Sequence, residues 1–180
     1  PCFQNCHHYD RMVGYFDSTI FKQLLTILPE IQDKIFTDDT ENALKIRMIT
    51  CPQLSKADKE TLNNLVDPEQ REQWFSENAS ELIENVLDGQ TVSLEQGSEL
   101  FSYLIAKGII EMRFNFPKKG NEHALHHLKT GIFYFDGDNK LAFTGSANES
   151  AGGYQRNLEE IDVFCSWKVN CEADIERIER

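Results

Sequence analysis

The chain has 180 residues, of which 40% are hydrophobic and 27% charged, with a net charge of −12. That composition excludes disordered, collagen-like and fibrous chains and fits one globular domain. It also argues against a protein that coats nucleic acid by bulk charge, since phosphates are neutralised by Lys and Arg. No apolar run approaches the roughly 20 residues that cross a bilayer, and no membrane association is expected.

The charge is unevenly spread. Residues 27–100 hold 16 acidic and 6 basic residues, whereas residues 101–145 hold 4 acidic and 6 basic residues together with three of the five histidines. An anionic ligand is therefore expected to meet the later segment.

The opening Cys2-x3-Cys6-His7-His8 gathers zinc-ligand residue types. Adjacent histidines on a short segment make poor tetrahedral ligands, and no second pair follows nearby. No metal and no cofactor are expected. The five cysteines form no CxxC pair. An odd, irregular set suits reduced thiols in a cytoplasmic protein.

Next comes a β-prone run, RMVGYF (11–16), with Asp17-Ser18 as a helix cap and an apolar helical spacing up to Pro29. In ALKIRMITC (43–51), Leu44, Ile46, Met48 and Thr50 alternate with Lys45 and Arg47, as in a half-buried strand. SKAD at Ser55 is a capping-box phrase before a helix. Residues 68–87 read as an acidic amphipathic helix with Trp74, Phe75, Leu82, Ile83 and Val86 on its buried stripe. SLEQGSELFSYLIAKG reads as a further helix stopped by Lys107-Gly108.

After Gly108 the texture changes to four short β-prone segments, IIEMRFNF, TGIFYF, KLAFTG and EEIDVFCSW, separated by turn residues such as Asp136-Gly137-Asp138-Asn139. Strand and helix alternate early and strands cluster late, which predicts an α/β domain with a mixed, mainly β sheet flanked by helices. The aromatic residues, Trp167 and the twelve Phe among them, are expected in the core.

Two phrases carry chemistry. In His126-His127-Leu128-Lys129, an extended backbone puts His127 and Lys129 on one face. An imidazole beside an ammonium suits a phosphate: Lys holds charge while His attacks or moves protons. In Gly145-Ser146-Ala147-Asn148, a turn leaving a strand offers backbone N–H groups and the Asn148 amide to an anionic oxygen. Lys118 and Lys119, just before the histidines, and Arg156 are candidate contacts to a nucleic-acid backbone, and Arg113 is a weaker one.

HxK, a hairpin, GSxN and then Asn157-Leu158-Glu159 before a strand resembles the signature of the phospholipase D superfamily. From His127 to Trp167 the stretch resembles, in particular, the phospholipase D-like domain at the N-terminus of Swi/Snf-type and related superfamily 2 helicases. YDRMVGYFDSTIF resembles that branch's opening strand and helix, and IRMITCPQLSKAD its second strand and loop, so the likeness covers nearly all of residues 1–180. One position departs: the superfamily's Asp five residues after the Lys is Tyr134 here.

The resemblance implies a metal-independent phosphodiesterase with His127 as nucleophile, forming a phosphohistidine. Lys129 and Asn148 would hold the non-bridging oxygens, with Ser146 adding a hydrogen bond. Glu159 would orient a catalytic His: strand alternation lets only one of Glu159 and Glu160 face the site, and the match to the superfamily's Asn-x-Glu favours Glu159. The mechanism needs two histidines and this chain has one HxK, so a homodimer sharing the site across its interface is expected. DNA is the expected substrate, and a helicase motor is expected in the same full-length chain, of which this is read as a segment. An alternative is an inactive phosphate- or DNA-binding module of that helicase. Lipid chemistry is disfavoured, because no basic amphipathic helix is present.

Overall fold

The structure, a computed structural model, describes residues 1–14, 16, 26–37, 43–51, 94–115, 129–146 and 160–180, with 94–99 as helical backbone. The elements in chain order are α1 (Cys2–Asn5), β1 (His8–Met12), α2 (Leu28–Ile35), β2 (Lys45–Thr50), α3 (Leu94–Ala106), β3 (Ile110–Phe114), β4 (Thr130–Tyr134), β5 (Lys140–Gly145), β6 (Ile161–Cys165) and α4 (Glu172–Glu179).

Six strands form one sheet in the order β3-β2-β1-β4-β5-β6. β1, β2 and β3 run parallel, while β4, β5 and β6 pair antiparallel, starting from β1. The expected mixed sheet with flanking helices is what forms. Its parallel half carries α2 and α3 between successive strands, and β4 and β5 are joined by a short hairpin turn. The chain leaves β3 at one edge and re-enters beside β1, so the order of winding reverses between β1 and β4.

Period-two alternation assigns the two faces. Tyr9, Ile46, Met48, Ile110 and Phe133 look to one side, where they pack with Phe16, Leu28, Ile31, Ile35, Leu100, Phe101 and Leu104 in the main core. Each such side chain withdrawn from water contributes about 1.5–3 kcal/mol before entropy is counted. Tyr9 and Phe133 stack with centroids 4.3 Å apart, and Phe143 continues the row beside Phe133 at 6.1 Å. On the other side, Ile132 and Ala142 meet Ile175 of α4 in a smaller core.

Local chemistry explains the element ends. Pro29 sits in the first turn of α2, where its missing N–H costs nothing. The helical spacing read as stopping at Pro29 therefore has a helix beginning there, with residues 17–25 outside the described residues. Gly108 adopts φ +71 after α3, and Gly108 N–H donates to the Ile105 carbonyl at 3.0 Å, a left-handed helix stop. Gly137 and Asp138 take φ values of 68 and 59 in the β4–β5 turn, the positive-φ pair that a tight hairpin requires.

Two further expectations are corrected. The first strand is His8–Met12 rather than the run from Arg11 to Phe16. Tyr9, half polar in sequence terms, is drawn into the core by its stack on Phe133, which moves the strand towards the N-terminus. Trp167 is not core: it is 54% exposed, following β6 in a turn with its ring edge on Phe135 at 6.2 Å. The helices read at residues 57–65 and 68–87 lie outside the described residues.

All five cysteines are free thiols. Burial pushes the Cys6 thiol up to about 11, and its Sγ lies 3.9 Å from the Phe3 carbonyl, the geometry of a weak thiol donor. His8 turns instead to Asp10, with His8 Nε2 and Asp10 Oδ1 2.5 Å apart. Among the described residues no three His, Cys, Asp or Glu side chains gather as a metal-ligand set. Among the same residues, no helix is long and apolar enough to cross a membrane.

Candidate active site

β4 and β5 form the hairpin read from the sequence, with Thr130 opposite Thr144 and Gly131 opposite Phe143. One step beyond, the Gly145 N–H donates to the Lys129 carbonyl at 3.0 Å. The lysine of the HxK phrase and the glycine of the GSxN phrase are therefore direct cross-strand neighbours, although 16 positions apart in sequence. This end of β4 and β5 adjoins the carboxyl ends of β1 and β2. It is where the winding reverses, a place at which open α/β sheets bind ligands.

Lys129 is 7% exposed and continues the alternation of Gly131 and Phe133 onto the main-core face. Burying an ammonium is costly unless it is compensated, so this is not a solvated surface lysine. Ser146 closes the far side. Its Oγ accepts from the Glu160 N–H at 3.1 Å, and its own N–H donates to the Glu160 carbonyl at 3.1 Å, which ties the end of β5 to the start of β6. Glu160 is exposed. Ile161 and Val163 pair with Gly145 and Phe143, so they lie on Lys129's face.

Tyr134, at the place where the superfamily has Asp, lies on the opposite face. Its hydroxyl donates to Asp10 Oδ2 at 3.2 Å, and burial followed by the Asp10 charge pushes its phenol upward. Asp10 also accepts from Arg47 Nε at 2.7 Å and Arg47 Nη2 at 2.5 Å. Burial opposes ionisation of Asp10, but the bonds from Arg47 and His8 together outweigh it and hold the carboxyl below its usual value. A cleft of about 240 Å³ opens beside this network, lined in part by Asp10, Arg47, Glu111, Arg113, Tyr134 and Glu179. Its charges are matched: Arg47 with Asp10, Arg113 with Glu111, and Glu179 with Lys140. Arg113, weighed as a phosphate contact, is thus on the far face in an ion pair.

His127, Asn148, Glu159, Lys118, Lys119 and Arg156 lie outside the described residues. Lys129 and Ser146 are the members of the expected set that lie among the described residues. Sequence reasoning passes over two polar residues at this end of Lys129's face, Arg11 and Thr50, and over Asp10 on the opposite face. The signal is present in Tyr9-Asp10-Arg11, where alternation puts a guanidinium on the strand's apolar side.

No protein-family model matches this chain, and no curated protein matches it. Two solved structures of mutants of a yeast tyrosyl-DNA phosphodiesterase align with it over 91% of its length at 11% identity, with TM-scores of 0.40 and 0.39. The alignments cover 26% and 25% of those chains, so this chain spans about a quarter of their length.

Proposed function

We propose that the chain is a phospholipase D-like phosphodiesterase domain that cleaves DNA without a metal and serves as the N-terminal module of a helicase-type protein. The observation that carries this reading is the pairing of Lys129 with Gly145 at the sheet's switch point. It sets the lysine of the HxK phrase against the glycine of the GSxN phrase at one end of one hairpin, with the lysine buried.

In this proposal a ring nitrogen of His127 attacks phosphorus, and the bond to the leaving oxygen breaks. A second histidine, from the other copy of a homodimer, gives that oxygen its proton. Water then attacks the phosphohistidine and returns His127 to its starting state. Lys129 and Asn148 hold the non-bridging oxygens, and Ser146 adds a hydrogen bond. Glu159 fixes the tautomer of a catalytic His. Lys118, Lys119 and Arg156 contact the DNA backbone. Positive side chains supply the charge stabilisation that a divalent ion gives elsewhere.

The deciding experiment is cleavage of labelled single- and double-stranded DNA in excess EDTA, wild type beside His127→Ala. Cleavage that survives the chelator and disappears in the variant is expected. A folded dimer that binds DNA and leaves it intact would favour the second reading, a phosphate-binding module. That reading draws on the absence of the motif Asp at Tyr134. A strict monomer that still cleaves would remove the shared-site dimer.

A further inference from the structure

Four polar or charged residues are buried among those described: Arg11, Thr50, Ser102 and Lys129. Three of them stand at one end of one face of the sheet. Val13 follows β1 with its N–H bonded to the Ile49 carbonyl. In the strand registers Thr50 is its neighbour on β2 and Lys129 its neighbour before β4, while Arg11 lies two residues back on the same face. Arg11 is thus the diagonal neighbour of both Thr50 and Lys129, at about 7–8 Å between Cα atoms.

Gly131 makes room for this arrangement. It lies opposite Arg11 on one side and Phe143 on the other. A Cβ there would run into the Phe143 ring. The Arg11 guanidinium lies 4.9 Å from the centroid of the same Phe143 ring. Arg11 is 3% exposed, and Thr50 is fully buried with an Oγ1 that has no hydrogen-bond partner among the described residues. The described strand residues on this face include the cation Arg11 and no carboxylate, and Lys129 just before β4 adds a second cation. Arg11 and Lys129 each make further interactions within the fold, so both are held in place.

We infer that Arg11 is a second cation of the oxyanion pocket occupied by Lys129, with the Thr50 hydroxyl as an additional donor, and that the ligand of this pocket is a phosphate group. The inference rests on the phosphodiesterase reading and names residues that reading did not include. A guanidinium offers a planar fork of donors to phosphate oxygens, and an ammonium offers a point charge. Together they match a dianionic or doubly contacted phosphoryl group better than Lys129 alone would. The Phe143 ring beneath Arg11 makes a cation–π contact with it.

The test is titration of inorganic phosphate against the intact chain, followed by the shift in thermal midpoint, with chloride at equal ionic strength as control. Wild type, Lys129→Ala, Arg11→Gln, Arg11→Lys and Thr50→Val are compared. Arg11→Gln should weaken phosphate about tenfold or more, Arg11→Lys only a few-fold, and Thr50→Val a few-fold. If Lys129→Ala loses phosphate while folded Arg11→Gln keeps wild-type affinity, the role of Arg11 is overturned and the Lys129 site stands. If Arg11→Gln does not fold, Thr50→Val decides: unchanged affinity in that near-isosteric variant overturns the inference. If the wild type binds no phosphate above the chloride control, both the inference and the phosphodiesterase reading fall.

Discussion

The Gly145 N–H donates to the Lys129 carbonyl at 3.0 Å across the β4–β5 hairpin, so the backbone that carries the buried lysine is fixed by the glycine that opens the GSxN phrase. Gly145 is hemmed in on its other side, where a Cβ would strike the backbone carbonyl oxygen of Glu160. Backbone cannot swing aside as a side-chain tip can, so β6 must shift for anything larger than hydrogen at this position.

Gly145→Ala should therefore destabilise the fold by about 1–3 kcal/mol, the usual range for overpacking. The Ser146–Glu160 pair of bonds would stretch with it. Urea denaturation of the two proteins measures the first effect. DNA cleavage measured under native conditions should also fall, since the shift moves β6 and the start of the strand that follows Glu159. A variant as stable as wild type would show that β6 yields without cost.

Gly131→Ala tests the other close approach. The added methyl meets the Phe143 ring, itself stacked beside Phe133, so the expected cost is again about 1–3 kcal/mol. Here the obstacle is a side chain. Phe143→Leu in the same protein should return part of the loss, and a double-mutant cycle should give a coupling of about 0.5 kcal/mol or more. Additive single losses would mean that the two residues do not share the space.

The strands after Gly108 were legible because their alternation is local and their turn residues are diagnostic: Gly137 and Asp138 sit at positive φ as the Asp-Gly-Asp-Asn phrase implied. The β2 pattern was equally plain, since Ile46, Met48 and Thr50 are buried and Lys45 and Arg47 exposed. The pairing of β4 with β1 rather than with β3 was not legible. Strand order depends on long-range packing, here the Tyr9–Phe133 stack, that no local window contains. For the same reason Lys129 was found from its motif, whereas Arg11 and Thr50, brought beside it by two different strands, were not.

Tyr134→Asp would place a carboxylate where the superfamily that the sequence resembles has one, and on the proposed reading it should not raise activity. Tyr134 lies on the face opposite Lys129 and bonds Asp10. A second carboxylate beside Asp10 would add like-charge repulsion and remove a donor. Loss of about 1–3 kcal/mol in a denaturation series is expected. Tyr134→Phe, which removes only the hydroxyl, should cost about 0.5–1.5 kcal/mol and leave cleavage near wild type. A marked gain in cleavage for Tyr134→Asp would show that the position communicates with the site.

Asp10 predicts a specific acid limb of stability. Its carboxyl is held below the ordinary value of about 3.9, so the folded state binds the proton more weakly than the unfolded chain does. Its contribution is therefore fully present above that unfolded value and is lost as pH falls through the lower folded one. Asp10→Asn removes the titrating group. At neutral pH it should cost about 1 kcal/mol, because Arg47 is half exposed and solvent screens the pair. Below pH ~4 its stability should decline less steeply than that of wild type, so that the two curves converge. Urea midpoints taken at half-unit steps through the acid range would measure this. Parallel curves throughout would remove Asp10 as the source of the slope and leave the Arg47 contact as a surface ion pair with no thermodynamic signature.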